Sequence, residues 1–190
     1  MSVYTDADWA GCKVTRKSTS GGCAMLGSHA ITSWSKSQSL VALSSGESEL
    51  YALVKATAEG LGMQSLLKDL GVKVQGHVWA DASAALGIIN RKGLGRLRHI
   101  DTSYLWVQDV AASRAVAFRK VLGSDNPADL FTKYLDWNVI GKHCQAIKCI
   151  FTEGRATSAP AVVKIEEEYV GRVMALCQAA VRAIESEQDW

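Results

Sequence analysis

Leu43-Ser44-Ser45-Gly46-Glu47-Ser48-Glu49-Leu50-Tyr51-Ala52-Leu53 is the stretch from which the rest of the chain can be arranged. Ser44 and Glu47 have the Ser-x-x-Glu spacing of a capping box, in which each side chain satisfies an orphan backbone N–H at the start of a helix. Two carboxylates in the opening turns suit the positive end of the helix dipole. Positions 50, 53, 54, 57 and 61, apolar except for Thr57, follow at helical spacing. A helix is therefore expected from Ser45 to about Leu70, stopping at Gly71. Gly60 and Gly62 inside it each cost about 1 kcal/mol against Ala and mark a place to kink or loosen. The box accounts for Glu47. Glu49 is not accounted for: it lies at the edge of the stripe, where a carboxylate reaches past its own helix toward a neighbouring element.

Upstream, Val3-Tyr4-Thr5 is a β-prone run ending in Asp6-Ala7-Asp8. A polar, basic loop follows from Gly11 to Gly22, with Lys13, Arg16 and Lys17. The runs Cys23 to Leu26 and Ala30 to Trp34 flank Gly27-Ser28-His29, a hairpin signal. Downstream, Val74 to Ala80 is a strand run ending at Asp81. Ser83 to Asn90 and Ile100 to Ser113 read as helices, separated by the basic, glycine-punctuated loop Arg91 to Arg98. Ala115 to Leu122 is the last strand run. Asn126-Pro127 then opens a helix carrying Leu130, Phe131, Tyr134 and Leu135, since Asn suits the N-cap and Pro the first helical position. The order βββ-α-β-α-α-β-α predicts an α/β fold: a five-stranded mixed sheet, three antiparallel strands and then parallel ones, with helices on both faces.

The 190 residues suffice for one domain with a core and an extension. Residues 1–150 are read as that domain, 151–161 as a linker and 162–190 as a C-terminal helical extension. The extension has a stripe of Val162, Ile165, Tyr169, Val173, Leu176, Ala180 and Ile184, which predicts docking or self-association. No apolar run approaches the roughly 20 residues of a membrane span, and the first ten residues do not read as a signal peptide. Five cysteines without a Cys-x-x-Cys pair indicate neither a zinc site nor a disulfide framework. The expected location is intracellular, cytoplasmic or nuclear, with no membrane partner. Residues 1–150 hold 17 Lys+Arg against 12 Asp+Glu, a net +5, while 151–190 carry a net −3. A basic domain is compatible with a polyanionic partner.

Four acids stand at comparable places. Asp6 and Asp81 each end a strand, Glu49 opens the long helix, and Asp129 lies in the first turn of the helix after the last strand. Ligand sites of α/β sheets gather at the carboxyl ends of parallel strands. The alternatives are ordinary: strand-terminating aspartates, and a carboxylate complementing a helix dipole. As an ensemble, the four are an oxygen set suited to hard divalent cations.

The blocks carrying these acids resemble a known family. They are Tyr4-Thr5-Asp6-Ala7-Asp8-Trp9-Ala10-Gly11, Arg16-Lys17-Ser18-Thr19-Ser20-Gly21-Gly22, Trp34-Ser35-Lys36-Ser37-Gln38, Ser44-Ser45-Gly46-Glu47-Ser48-Glu49, Asp81-Ala82-Ser83-Ala84-Ala85, Arg98-His99-Ile100-Asp101 and Ala128-Asp129-Leu130-Phe131-Thr132-Lys133. In this order, over residues 2–136, they are similar to the ribonuclease H domain of copia-type LTR retrotransposon polyproteins. The resemblance implies the ribonuclease H-like fold and hydrolysis of the RNA strand of RNA–DNA hybrids. It implies two Mg²⁺ ions, for which Mn²⁺ substitutes, held by Asp6, Glu49, Asp81 and Asp129. It selects Glu49 over Glu47, and Asp6 over the nearby Asp8. The expected partners are the hybrid and the reverse transcriptase domain of the same polyprotein.

Two metals about 3.5–4 Å apart activate a water and stabilise the leaving 3′ oxygen, which explains the need for four acids. Backbone contacts to the hybrid call for cations, with Arg16, Lys17, Lys36, Arg96, Arg98 and Lys120 as candidates. Lys120 occupies the position where many family members have a His that assists product release. His99 falls in a family block, and its alternative role is to cap a helix beside Asp101. The alternative function is a degenerate retroelement remnant that binds nucleic acid without cutting it.

Overall fold

The computed structural model describes residues 1–95, 97, 99–151 and 154. One compact unit spans Met1–Ile150. The expected linker and C-terminal helix lie, apart from Phe151 and Gly154, outside the described residues.

Alternating residues build the sheet. β1 (Ser2–Asp8), β2 (Thr19–Leu26) and β3 (His29–Ser37) run antiparallel, with Gly27 supplying the left-handed turn (φ 60°) between the last two. β4 (Gly76–Ala80) lies parallel to β1, and β5 (Val116–Lys120) parallel to β4. The order across the sheet is β3-β2-β1-β4-β5. This is the expected five-stranded mixed sheet.

The long helix α1 (Ser45–Asp69) forms as its cap predicts. Ser44 Oγ accepts from the Glu47 N–H at 3.2 Å as in a capping box, while the Glu47 carboxylate reaches one residue further back than the box, accepting from the Leu43 N–H at 3.0 Å. α1 runs unbroken through Gly60 and Gly62. Gly60 is buried where the helix passes β1, and a Cβ there would sit 3.4 Å from Val3 Cγ2. Leu50, Leu53 and Ala56 pack with Val3, Ala24, Val78, Ala80 and Val116 in the main core. Fully burying Leu50 and Leu53 contributes roughly 1.5–3 kcal/mol each. α2 (Ser83–Ile89) and α3 (Trp106–Ala112) join the same core through Ile89 and Val107. Because strand side chains alternate, Cys23 and Met25 face the other way, where they meet Ile147, Leu130 and Phe131.

The segment after β5 departs from expectation. Instead of one helix carrying Tyr134 and Leu135, a 3-10 turn (Pro127–Phe131) comes first, and α4 (Trp137–Ala146) begins separately. Asn126 does cap the turn, accepting from the Ala128 N–H at 3.2 Å, and it also donates to Thr5 O at 3.0 Å. The helix stops because Thr132 and Lys133 turn their side chains to Asp6. Tyr134 is left fully exposed. Similarly, the helix expected from Ile100 begins as a 3-10 turn (Thr102–Leu105), capped by Asp101 on the Ser103 N–H at 2.8 Å. Among the described residues, no helix is long and apolar enough to cross a membrane.

Candidate metal centre

The parallel pairing of β1 with β4 decides the site. Tyr4 lies opposite Trp79, so the residues two further along come side by side: Asp6, still within β1, and Asp81, just past the end of β4. α1 crosses behind β1, where the Thr5 hydroxyl donates to Ala52 O at 3.2 Å. That crossing brings Glu49 to the same point. Carboxylate oxygens of Asp6, Glu49 and Asp81 lie within 4.8 Å of one another. Asp8 is elsewhere: it accepts the Thr19 N–H and ties β1 to β2.

Glu49 Oε1 accepts from the Ala7 N–H at 3.4 Å, while its buried Oε2 has no partner among the described residues. Burial, then the charges of Asp6 and Asp81, pushes the Glu49 carboxyl up to about 8. Burial and Asp6 also raise Asp81. Crowded hard oxygens, one of them buried without a donor, fit a divalent cation. The residues present therefore suit the Mg²⁺ that the resemblance implies.

Asp129 stands outside this trio, on the Pro127–Phe131 turn. Lys133 Nζ joins it to Asp6, at 2.7 Å from Asp129 Oδ1 and 3.2 Å from Asp6 Oδ1. Burial raises Asp129, and the ion pair with Lys133 opposes the rise. Burial works against the Lys133 ammonium too, but the two carboxylates outweigh it and hold it above its ordinary range. Thr132 completes the arrangement by donating its hydroxyl to Asp6 Oδ2. The sequence reading did not assign Lys133 or Thr132 a role. The four-residue spacing of Asp129 and Lys133 was the available signal for their pairing.

Glu47 has a larger role than its cap. It is buried, accepts from the Tyr51 hydroxyl at 2.7 Å, and pairs with His99 Nε2 at 2.9 Å. His99 thus ties its loop to α1, and Asp101 alone caps the following turn.

The candidate nucleic-acid contacts are scattered. Lys36, near the end of β3, lines a cavity of about 220 Å³ with Gln38, Tyr51, Lys55 and Tyr104. Arg16 is exposed and Lys17 half-buried in the loop between β1 and β2. Lys120 ends β5 and donates to Ser83 Oγ at 2.6 Å. Arg96 and Arg98 lie outside the described residues. Lys55, on α1, is a cavity cation that the sequence reading did not select.

No protein-family model matches the chain. It is 33% identical over 140 residues to a retrovirus-related Pol polyprotein from transposon TNT 1-94 of Nicotiana tabacum, covering 73% of this chain and 10% of that one. It is 33% identical over 138 residues to the Pol polyprotein from transposon RE1 of Arabidopsis thaliana, covering 71% of this chain and 9% of the relative. The chain thus spans about a tenth of the length of these polyproteins. Among solved structures, it is similar to LC11-RNase H1 in complex with an RNA/DNA hybrid. The identity is 14% and the TM-score 0.46, covering 69% of this chain and 92% of the other.

Proposed function

We propose that this chain, a homologue of part of the retrovirus-related Pol polyproteins of plant transposons, is an endonuclease that hydrolyses the RNA strand of RNA–DNA hybrids with two divalent cations. The observation that carries this reading is the meeting of Asp6, Glu49 and Asp81 around a buried Glu49 oxygen that has no partner among the described residues.

Asp6, Glu49, Asp81 and Asp129 would hold two Mg²⁺ ions, with Mn²⁺ able to substitute. When bound, the ions supply an activated water and charge stabilisation at the leaving 3′ oxygen, leaving a 5′-phosphate and a 3′-hydroxyl. The protein's own part is to position the oxygens. Asp6 is held by Thr132, and Glu49 by the Ala7 N–H. Lys36 and Lys55, which line one cavity, would meet backbone phosphates of the hybrid, Lys55 on leaving its ion pair with Glu59, and the hybrid's shape and 2′-hydroxyls would identify it. Residues 1–150 form the catalytic domain in this reading, which acts inside the cell beside the reverse transcriptase of a larger polyprotein.

The test is cleavage of a labelled hybrid in Mg²⁺ and in Mn²⁺, with Asp81→Asn as control. We expect cutting of the RNA strand alone. The control should lose more than the roughly 100-fold that loss of an outer hydrogen-bond partner brings. A folded protein that cuts in neither metal would refute the nuclease reading. Hybrid binding without cutting would favour a retroelement remnant. The feature behind that second reading is Lys120, which stands at the position where many members of the resembling family have a His and which donates to Ser83 Oγ.

A further inference from the structure

Two cation positions are implied by the four acids, and they differ in what already occupies them. The trio of Asp6, Glu49 and Asp81 presents a buried Glu49 oxygen with no partner among the described residues. The pair of Asp6 and Asp129 is bridged by the Lys133 ammonium, at 3.2 and 2.7 Å. Asp6 is 1% exposed, and a carboxylate so enclosed is costly to leave without a counter-charge. Lys133 is 40% exposed and reaches the pair from the end of the turn on a flexible four-carbon stem. Its ammonium can therefore leave for water without moving the backbone.

We propose that Lys133 is a resident cation of the metal-free protein, filling the place between Asp6 and Asp129, so that divalent ions load in a fixed order. The first enters the Asp6–Glu49–Asp81 trio, where the Lys133 ammonium bonds Asp6 alone of the three and reaches Glu49 and Asp81 through its charge alone. The second enters between Asp6 and Asp129 only as Lys133 swings out. Lys133 is thus a positioning residue: it keeps the Asp129 turn drawn onto Asp6 until the second ion takes over. The inference rests on the reading of these acids as a divalent-cation site.

The test is calorimetric titration of the full 190-residue chain with Mn²⁺, without nucleic acid. The wild type should show two unequal steps. Lys133→Met should tighten the second step by about tenfold, roughly 1.4 kcal/mol, and change the first by less than about threefold. Lys133→Arg, which keeps the charge, should follow the wild type. Lys133→Gln, neutral but still a donor to Asp6, serves as a second neutral variant should Lys133→Met fail to fold, and its second step should tighten likewise. Thermal melts in EDTA establish that each variant is folded.

An unchanged second step in the folded neutral variants would overturn the proposal. So would equal tightening of both steps, which would report only the lost charge, or a gain shared by Lys133→Arg, which would report lost side-chain shape. If no protein, wild type included, takes up Mn²⁺, the cation-site reading itself falls and this inference with it.

Discussion

Glu47 and Glu49 sit two residues apart on one helix and have opposite fates. In the metal-free protein the Glu49 carboxyl is pushed up to about 8, first by burial and then by Asp6 and Asp81. In the unfolded chain it returns to an ordinary value near 4.3. Between those values the folded protein holds a proton that the unfolded chain has released, so raising the pH favours unfolding. Stability in EDTA should therefore fall from about pH 4.5 to about pH 8. Melts at the two ends of that window check it, and Glu49→Gln should flatten the dependence. Glu47 is buried and satisfied. Burial works upward on its carboxyl, yet bonds from His99, Tyr51 and the Leu43 N–H outweigh it and hold it below the usual range. Glu47→Ala strands the buried Tyr51 hydroxyl and should cost about 1–3 kcal/mol in urea unfolding, with Mn²⁺ uptake retained. A variant that kept full stability would show that the network contributes nothing.

β2 serves the site through what it lacks. Gly21 lies opposite Asp6 on β1, and the Asp129 turn presses onto it. A Cβ there would stand 2.5 Å from Thr132 Cγ2, 2.8 Å from Phe131 Cβ and 3.0 Å from the Phe131 backbone carbon. Gly21→Ala must push the turn off the sheet, at an overpacking cost of about 1–3 kcal/mol. The same push carries Thr132 and Lys133 away from Asp6. Hybrid cleavage at a temperature where the variant remains folded should thus drop to a small fraction of wild type. Unimpaired cleavage would mean that the turn accommodates the methyl without moving Asp129.

The charge of the domain predicts how it meets its substrate. Residues 1–150 carry a net +5, and Lys36 and Lys55 share one cavity. Affinity for a hybrid should fall steeply with salt as released counterions are lost as a driving force. Replacing Lys36 or Lys55 by Ala should reduce the slope of log affinity against log salt by about 1 each. Fluorescence anisotropy across a salt series measures it. A slope that neither substitution alters would place the phosphate contacts elsewhere.

Features set by near neighbours were legible without coordinates. The Ser44 cap, the period of α1 and the Asn126-Pro127 opening depend on contacts within about four residues, and each appears where expected. Strand runs separated by turn residues were enough to give five strands in a mixed sheet, but not their order across it. The four acids were legible singly, as strand ends and helix starts, and their grouping came from the resemblance. The short range of such patterns is also their limit. Lys133 reaches Asp6 across 127 residues, and nothing in either neighbourhood announces it. The long helix expected after Asn126 gave way for the same reason: bonds from Thr132 and Lys133 to a distant buried carboxylate outweigh continuing a helix. Which acids share a centre, and which two share an ammonium, depends on the β1–β4 register and on the turn seated over Gly21. Only the packed chain holds those two together, because burial is what makes an unpaired charge costly enough to select its partner.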